Sequence, residues 1–174
     1  MIDVNGKVVM ISGANRGIGL AIARSLYKAG YSLSLGSRNI SSLENLIENS
    51  SDDRILNCHF DAMDKSTHTE WVTHTIDKFN KIDCLINNAG IVESVSVEDE
   101  EDNEDALDRM WTVNVKAPLS LTRLTLPYLK KSGSGRVVNV ASLAGKAVYG
   151  SSVGYSMTKF AAVALSHATR HGGW

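Results

Sequence analysis

The sequence predicts an α/β protein built on a doubly wound parallel sheet, and three observations support this prediction. Short apolar runs alternate with helical patterns along the chain. A glycine-rich turn follows the first run, and Asp, Asn or Ser stands directly after later runs. Strands and helices that alternate without pause produce a parallel sheet with helices on both faces. At 174 residues, the chain is expected to form one domain spanning 1–174.

The first half of the chain contains three strand–helix pairs. Each strand is a short apolar run, and the first helical pattern ends at Gly30, a residue typical of a helix C-terminus. The predicted strands are 7–12, 31–37 and 54–60, and the predicted helices are 17–30, 40–50 and 65–80.

The second half contains two more strands, 83–90 and 135–142, a long helix over 105–131 and a final helix that carries Tyr155. The long helix holds a conflict, because Asn is a poor helix former and Pro118 follows Asn114 by four positions. Proline lacks an N–H and clashes with the carbonyl of residue i−4. The sequence therefore predicts a kink that frees the Asn114 carbonyl.

Composition excludes several classes of partner. The net charge is −1, so no electrostatic attraction to nucleic acid or an anionic membrane is expected. Apolar residues make up 43% of the chain, but no apolar run reaches membrane-spanning length. The start carries an acidic residue and no basic segment, which is not typical of a secretory signal. We expect a cytoplasmic protein.

Potential metal ligands form no defensible pattern, and we expect no metal site. Cys58 and Cys84 lie in apolar runs and are interpreted as buried reduced thiols. The five His have no ligand spacing. The acidic run 98–105 is interpreted as a solvated loop whose end places acidic residues at the start of the long helix. A metal site or a partner-binding segment there is the alternative.

The turn between the first strand and the first helix has the spacing G-x-x-x-G-x-G, formed by Gly13, Gly17 and Gly19. Gly13 allows a sharp turn out of the strand. Gly17 and Gly19 allow close approach of the backbone to a pyrophosphate and close packing of the helix, whose free N–H groups face the anion. Because a tight strand-to-helix turn needs glycine anyway, only its position before a helix favours nucleotide binding.

Polar residues end the third and fourth strands. Asp61 would lie at the edge of the sheet where such folds bind ligands, or it would serve as the N-cap of the next helix. The fourth strand ends in Asn87-Asn88-Ala89-Gly90, which suits a chain leaving the sheet beside a ligand and also suits a simple turn.

Tyr155 and Lys159 are four positions apart and therefore share one helix face. A tyrosine with an unperturbed pKa of about 10 needs a nearby cation to act near neutral pH, and Lys159 supplies one. Ser142, after the fifth strand, could hydrogen-bond a substrate oxygen. The alternative is a surface Tyr/Lys pair and an unrelated loop serine.

Together these residues resemble the short-chain dehydrogenase/reductase family. The match covers the glycine turn, Asp61, the Asn-Asn-Ala-Gly segment, Asn114, Ser142 and Tyr155-x-x-x-Lys159, in order and at fitting separations. The resemblance implies a Rossmann-like three-layer sandwich. It implies a dinucleotide site formed by Gly13, Asn15, Arg16, Gly17, Ile18, Gly19, Ser37, Arg38, Asp61, Ala62, Asn88, Ala89, Gly90, Tyr155 and Lys159.

The resemblance also implies roles for these residues. Asp61 would contact the adenine, Asn87 would brace the sheet, and Ala89 and Gly90 would lie along the cofactor. Among the catalytic residues, Tyr155 would be the proton acid/base, Lys159 would tune it and hold the nicotinamide ribose, and Ser142 would orient the carbonyl. The main-chain carbonyl of Asn114 would hold a water that links Lys159 to solvent, unless the kink there only fits the helix to the core.

The end of the second strand predicts NADP(H) rather than NAD(H). An acidic residue there would hydrogen-bond the ribose 2′-hydroxyl, whereas arginine accommodates a 2′-phosphate. The sequence has Ser37 and then Arg38, and Arg16 stands inside the glycine turn. Both arginines could instead be ordinary surface residues.

The resemblance implies two further strands and a substrate-closing loop beyond Trp174, so we expect an incomplete domain whose fifth strand has an open edge. It also implies a homodimer or homotetramer through the long helix and the Tyr155 helix. The segment 143–154 is small and mildly apolar, which suits a modest ketone, aldehyde or 3-oxoacyl group. The expected function is carbonyl/alcohol oxidoreduction with NADP(H). The alternatives are a truncated dinucleotide-binding module without turnover and a protein-binding scaffold.

Overall fold

The computed structural model describes residues 4–44, 46–47, 53–100, 103–148 and 152–171. Five parallel strands form one sheet in the order β3-β2-β1-β4-β5. They are β1 (Val8–Ser12), β2 (Ser32–Ser37), β3 (Ile55–His59), β4 (Cys84–Asn87) and β5 (Arg136–Asn139). The strand order reverses between β1 and β4, and the carboxyl ends of strands on either side of such a point form a crevice. The doubly wound prediction is confirmed.

The helices are α1 (Gly17–Lys28), α2 (Lys65–Phe79), α3 (Glu104–Trp111), α4 (Ala117–Lys131) and α5 (Val153–His171). Successive residues of β1 point to opposite faces of the sheet. Met10 packs with Trp71 of α2 and Leu121 of α4. Val9 and Ile11 pack with Ala23 of α1 on the other face. Because the sheet is buried on both faces, the molecule has three layers, as predicted.

The predicted helix 40–50 is wrong in its described part. Only Ile40–Leu43 is helical, as a 3-10 turn, and Glu44 is extended with φ −69° and ψ 140°. The Asn39 side chain accepts the Ser41 N–H at 3.0 Å, and Ser42 bonds back to the Asn39 carbonyl. Such local side-chain bonds compete with a regular helix. Positions 45 and 48–50 lie outside the described residues.

The irregularity predicted in the long helix takes the form of a π-helical segment, Thr112–Lys116, between α3 and α4. The Ala117 N–H bonds to the Thr112 carbonyl, five residues back. Pro118 has no N–H to offer to the Asn114 carbonyl, and a widened turn accommodates this loss. The acidic residues Glu104 and Asp105 occupy the first turn of α3, as the solvated-loop interpretation requires, while 101–102 lie outside the described residues.

Two buried contacts fix the strands that border the crevice. A Cβ on Gly36 of β2 would lie 2.8 Å from the Trp71 ring, so only glycine fits under that side chain. Asn87, at the end of β4, donates to the Asn139 side chain of β5 at 2.8 Å and to Thr122 of α4 at 3.4 Å. Asn87 thus joins two strands and a helix, which is the bracing position that the resemblance implied.

Candidate functional site

A cleft of about 940 Å³ opens at the carboxyl ends of the strands, a size typical of ligand sites. Most of the residues predicted to bind the cofactor line it. These are Gly13, Asn15, Arg16, Gly17, Ile18, Ser37, Arg38, Asp61, Ala62, Asn88, Ala89 and Gly90. Further lining residues, which the sequence did not single out, are Asn39, Phe60, Met63, Ile91, Glu93, Arg109 and Val113.

The glycine turn presents helix α1 to the cleft. Gly13 and Gly17 have φ of +66° and +55°, a region that favours glycine. The N-cap residue Arg16 makes no side-chain capping bond, and the first turn of α1 has no acidic residue. The first N–H groups of a helix have no partner within the helix, so this end of α1 offers donors and a positive dipole to an anion.

Gly19 does not line the cleft, and its contacts bear on one of the two roles predicted for it, the close packing of the helix. A Cβ there would lie 2.3 Å from the Gly13 carbonyl oxygen and 2.5 Å from Asn88 Nδ2. Gly19 therefore allows α1 to pack directly beneath the turn.

Ser12 joins the glycine turn to the end of β4. Its Oγ accepts the N–H groups of Asn88 and Ala89 at 3.0 and 3.1 Å. The Asn88 side chain donates to the carbonyls of Ser12 and Gly13 at 3.0 and 3.1 Å. The sequence places Ser12 next to Gly13, but only the pairing of β1 with β4 shows that it holds both walls of the cleft.

Asp61 lines the cleft and is not the N-cap of α2, so that alternative is wrong. The cap is Asp64, which accepts the Ser66 N–H at 2.9 Å. The Asp61 carboxylate instead accepts the Met63 N–H at 2.9 Å. Asp61 is thereby held in its own turn at the end of β3, on the cleft wall.

His68 supports Asp61 from inside the protein. The buried imidazole lies with Nε2 3.1 Å from the Asp61 carbonyl oxygen and Nδ1 3.0 Å from Ser120 Oγ. Because a carbonyl can only accept, the proton is on Nε2 and Nδ1 accepts from the serine. Burial lowers the pKa of His68, which keeps the ring neutral.

Tyr155 and Lys159 lie on the first turns of α5, beside the Gly90 end of the cleft, and neither is among the residues that line it. Lys159 Nζ is 5.5 Å from the Tyr155 ring centroid and donates to the Val140 carbonyl at 3.0 Å. The Lys159 side chain is 7% exposed, and this burial lowers its pKa. A Cβ on Gly90 would be 3.7 Å from Nζ, so Lys159 reaches the cleft wall beside Gly90.

Ser142 starts a 3-10 turn, Leu143–Gly145, that packs against α5. Its Oγ accepts the Ala144 N–H at 3.2 Å, and a Cβ on Gly145 would lie 2.7 Å from the Lys159 carbonyl oxygen. The segment after β5 thus contacts Lys159 at Val140 and at Gly145, which brings the Ser142 segment to the predicted catalytic pair.

The side chain of Asn114 connects the cleft to α5, a role that the sequence did not reveal. Its Oδ1 accepts the Ile91 N–H at 2.9 Å, and its Nδ2 donates to the Ile91 carbonyl at 2.8 Å. Nδ2 also donates to Thr158 Oγ1 at 3.1 Å, and that hydroxyl donates to the Tyr155 carbonyl at 2.7 Å. The predicted role of the main-chain carbonyl in a proton relay stays a prediction.

Glu93 and Arg109 form an ion pair on the cleft wall beyond Gly90. Arg109 Nε and Nη2 donate to the two Glu93 carboxylate oxygens at 3.0 and 2.6 Å. The hydrogen bonds from Arg109 lower the pKa of Glu93, and the carboxylate raises the pKa of Arg109. The two residues are sixteen positions apart with no helical or strand register between them, so no sequence pattern joins them.

Other reactive groups lie away from this chemistry. Cys58 and Cys84 are free thiols, and burial raises their pKa values to about 11 and about 12. Within the described ranges, no group of three or more His, Cys, Asp or Glu could hold a metal ion. No helix in the described ranges is long and apolar enough to cross a membrane.

The sequence profile of the short-chain dehydrogenases matches residues 7–172. The chain belongs to the short-chain dehydrogenase family. It is 46% identical over 167 residues to an agropine synthesis reductase of Rhizobium rhizogenes, covering 96% of this chain and 38% of that protein. It is 33% identical over 170 residues to an uncharacterised oxidoreductase of Staphylococcus saprophyticus, covering 98% of this chain and 68% of that one.

Solved structures of other short-chain dehydrogenases share the fold. A Streptomyces avermitilis short-chain dehydrogenase superposes with a TM-score of 0.85 at 30% identity, covering 94% of this chain and 60% of that one. A Thermococcus sibiricus alcohol dehydrogenase complexed with 5-hydroxy-NADP gives a TM-score of 0.85 at 29% identity, covering 95% and 71%. This short-chain dehydrogenase chain therefore spans only part of the length of these relatives. Members of the family are oxidoreductases that use a nicotinamide cofactor.

Proposed function

We propose that this chain forms the cofactor-binding and proton-transfer part of an NADP(H)-dependent oxidoreductase acting on a carbonyl or secondary alcohol. One observation carries the proposal. A single cleft has an uncapped helix N-terminus and two arginines at one end, and at Gly90 its wall lies beside the amino group of the buried Lys159, which is next to Tyr155. A dinucleotide needs an anion site for its phosphates and a separate site for its nicotinamide, because the two groups are far apart.

The residues of the cleft fit such a dinucleotide. A Cβ on Gly17 would have no heavy atom within 4 Å, so the turn leaves open space in front of the α1 donors. These donors would hold the pyrophosphate, Asp61 and Ala62 would contact the adenine, and Lys159 would hold the nicotinamide ribose. The remaining contacts would come from the main chain at 88–90. When bound, the nicotinamide supplies or accepts a hydride.

Residues of this chain would transfer the proton that accompanies the hydride. In the proposed reduction, the Tyr155 hydroxyl donates its proton to the carbonyl oxygen, and in oxidation the phenolate takes it back. Lys159, which is shielded from water and lies 5.5 Å from the Tyr155 ring centroid, would be the cation beside this hydroxyl during the transfer. Ser142 would donate a hydrogen bond to the same substrate oxygen. Asn114 would hold a relay water at its carbonyl.

The preference for NADP(H) rests on the end of β2. Ser37 is buried there in place of an acidic residue, and Arg38 is exposed on the cleft wall. Arg16 lies on the same wall in the glycine turn. Guanidinium groups bind phosphate through strong charge-assisted hydrogen bonds, so both arginines favour a 2′-phosphate. The Thermococcus sibiricus relative, complexed with 5-hydroxy-NADP, is compatible with this choice.

The test compares kcat/KM for NADPH and NADH in the full-length protein and in Arg38→Asp. We expect the wild type to prefer NADPH, and the variant to lose about 10- to 100-fold of that preference, since one charge-assisted contact becomes a repulsion. Lys28→Gln, an exposed cation at the far end of α1, is the control and should leave the ratio unchanged. Equal use of both cofactors by the wild type would refute the assignment.

A dinucleotide-binding module without turnover is the second candidate. It is favoured by one observation, that the chain spans only 38% of the similar agropine synthesis reductase. Calorimetry that detects NADPH binding, together with no NADPH oxidation across a carbonyl panel, would favour this candidate over the enzyme.

Assembly and location complete the proposal. Met157 and Phe160 are 46% and 44% exposed on α5, and pairing of α4 and α5 with those of a second copy would cover them in a homodimer. That dimer stays a prediction for sedimentation to test. Two free thiols suit the reducing cytoplasm, where we place the reaction.

A further inference from the structure

We infer that Arg109, held by Glu93, binds a carboxylate group of the substrate at the end of the cleft beyond Gly90. The inference rests on the proposed function, because it names the class of carbonyl compound that this site would accept. It begins from an ion pair on the cleft wall that neither the glycine turn nor the Tyr155–Lys159 pair uses.

The ion pair lies on the catalytic side of the cleft. The Ser152 hydroxyl donates to the Glu93 carbonyl at 2.7 Å. The Ser152 Oγ in turn accepts the Tyr155 N–H at 3.2 Å. One serine therefore links Glu93 to the first turn of the helix that carries Tyr155. The chain from Gly90 to Glu93 runs from the neighbourhood of Lys159 toward Ser152, so Glu93 lies beyond the cofactor segment 88–90.

The guanidinium keeps donors for a ligand. Nε and Nη2 of Arg109 bond to Glu93 along one edge, and no contact to Nη1 is seen within the described ranges. The Arg109 side chain is 48% exposed, so this other edge is open to the cleft and to solvent. An Arg edge with two parallel N–H groups matches the two oxygens of a carboxylate.

The ion pair is not needed to hold the loop. Main-chain atoms already fix Glu93, whose N–H bonds to Met110 Sδ at 3.3 Å and whose carbonyl accepts from Ser152. Exposed ion pairs contribute little to folding stability. The side chains of Glu93 and Arg109 can therefore serve recognition, with Glu93 orienting the guanidinium plane before a ligand arrives.

The rest of the substrate is expected to be small and uncharged. Leu143 and Val148, on the segment between Ser142 and α5, are 72% and 56% exposed. The preferred substrate is then a short keto acid. Its carbonyl carbon accepts the hydride from NADPH, its oxygen takes the Tyr155 proton, and its carboxylate stays unchanged at Arg109.

The experiment uses three keto acids that differ in the distance between carbonyl and carboxylate, namely 2-oxobutanoate, 3-oxobutanoate and 4-oxopentanoate, each paired with its methyl ester. With the full-length protein and NADPH, we expect at least one acid to exceed its ester in kcat/KM by about tenfold, the size of one charge-assisted contact. Arg109→Gln should raise KM for that acid about tenfold and leave the ester unchanged.

Two variants serve as controls. Lys116→Gln removes an exposed cation from the π-helical segment outside the cleft lining and should keep the acid-to-ester ratio. Glu93→Gln keeps the side-chain shape and one acceptor for Arg109 but removes the charge that orients the guanidinium, so the preference for the acid should fall, though by less than in Arg109→Gln. If the preference for the acid over its ester is lost equally in Lys116→Gln, it comes from the overall electrostatic potential of the protein and not from Arg109. That result would overturn the inference.

Binding separates this inference from the proposed function. Saturation-transfer NMR on the complex with NADP⁺ measures the affinity of each acid and ester without turnover. Arg109-dependent binding of an acid with no hydride transfer would support the inference and refute the proposed function. Turnover of esters with no advantage for any acid, or an acid advantage that survives Arg109→Gln, would overturn the inference alone. Equal binding of acids and esters in the absence of turnover would overturn both.

Discussion

The two ends of the cleft are built in different ways. The glycine-turn end is held by bonds between adjacent strand ends, both main-chain, as from the Gly13 N–H to the Gly36 carbonyl at 2.9 Å, and through the Ser12 and Asn88 side chains next to the turn. The α5 end is held by side chains from distant segments, such as Asn114, which bonds to both Ile91 and Thr158. The geometry of the glycine-turn end follows from the order and pairing of the strands. The α5 end depends on single side chains, so substitutions there should affect catalysis more than cofactor binding.

Tyr155→Phe should produce the largest separation between the two ends. The variant loses the proposed proton donor and little binding surface, so we expect kcat to fall by about 10³-fold or more. NADPH affinity, set mainly at the glycine-turn end, should stay within a few-fold. Steady-state kinetics and calorimetric titration measure the two quantities. Tyr128→Phe, which alters a half-buried tyrosine on α4, is the control. A Tyr155→Phe variant with the wild-type rate would show that another group transfers the proton.

Gly19→Ala should damage the opposite end. The added Cβ would lie 2.3 Å from the Gly13 carbonyl oxygen, so the turn or α1 must shift. Overpacking of this kind costs about 3 kcal/mol of unfolding free energy, and NADPH binding should weaken with it. Gly17→Ala is the matched comparison, since its Cβ meets nothing within 4 Å and only the φ of +55° is strained. We expect a cost of about 1 kcal/mol there. Equal unfolding midpoints in urea would contradict the packing role of Gly19.

Asn114→Ala tests the connection between the ends. It removes the partners of the Ile91 N–H and carbonyl, and unsatisfied groups of this kind cost about 2 kcal/mol together. Turnover should fall as well, because the segment after Gly90 loses its link to α5 through Thr158. If the role of Asn114 were confined to its main-chain carbonyl, the alanine variant would keep both its stability and its rate. Asn114→Asp, which keeps the acceptor for the Ile91 N–H, should show an intermediate stability.

The same contrast explains how much the sequence could predict. Strand–helix alternation and the glycine spacing are local patterns, so they predicted the sheet and most of the glycine-turn end. Ser12, the Asn114 side chain and the Glu93–Arg109 pair act between segments 16 to 77 positions apart. Their contacts exist only once strand order and helix packing are known. The helix predicted over 40–50 failed for a local reason, because Asn39 and the serines that follow bond to their own backbone.

The smallest expected effect is a pH dependence at the glycine-turn end. The pKa of the buried His68 is lowered in the folded protein, whereas an unfolded histidine titrates near 6.5. Between the folded pKa and about 6.5 the unfolded chain binds more protons, so stability is lost as pH falls through this window. We expect the unfolding free energy to drop between pH 7.5 and pH 5.5, with His68 contributing to that drop.

His68→Gln isolates this contribution, because its amide can still donate to the Asp61 carbonyl but does not titrate. The drop between the two pH values should shrink in the variant, while His59→Gln, which removes an exposed imidazole, serves as the control. Since His68 holds the Asp61 carbonyl, NADPH affinity should weaken in the same pH window in the wild type and not in His68→Gln. If stability and NADPH affinity depend on pH equally in the wild type and in His68→Gln, then the titration of His68 has no effect and the residue only fills space. The glycine-turn end would then owe its geometry to the strands and to the Ser12 and Asn88 side chains.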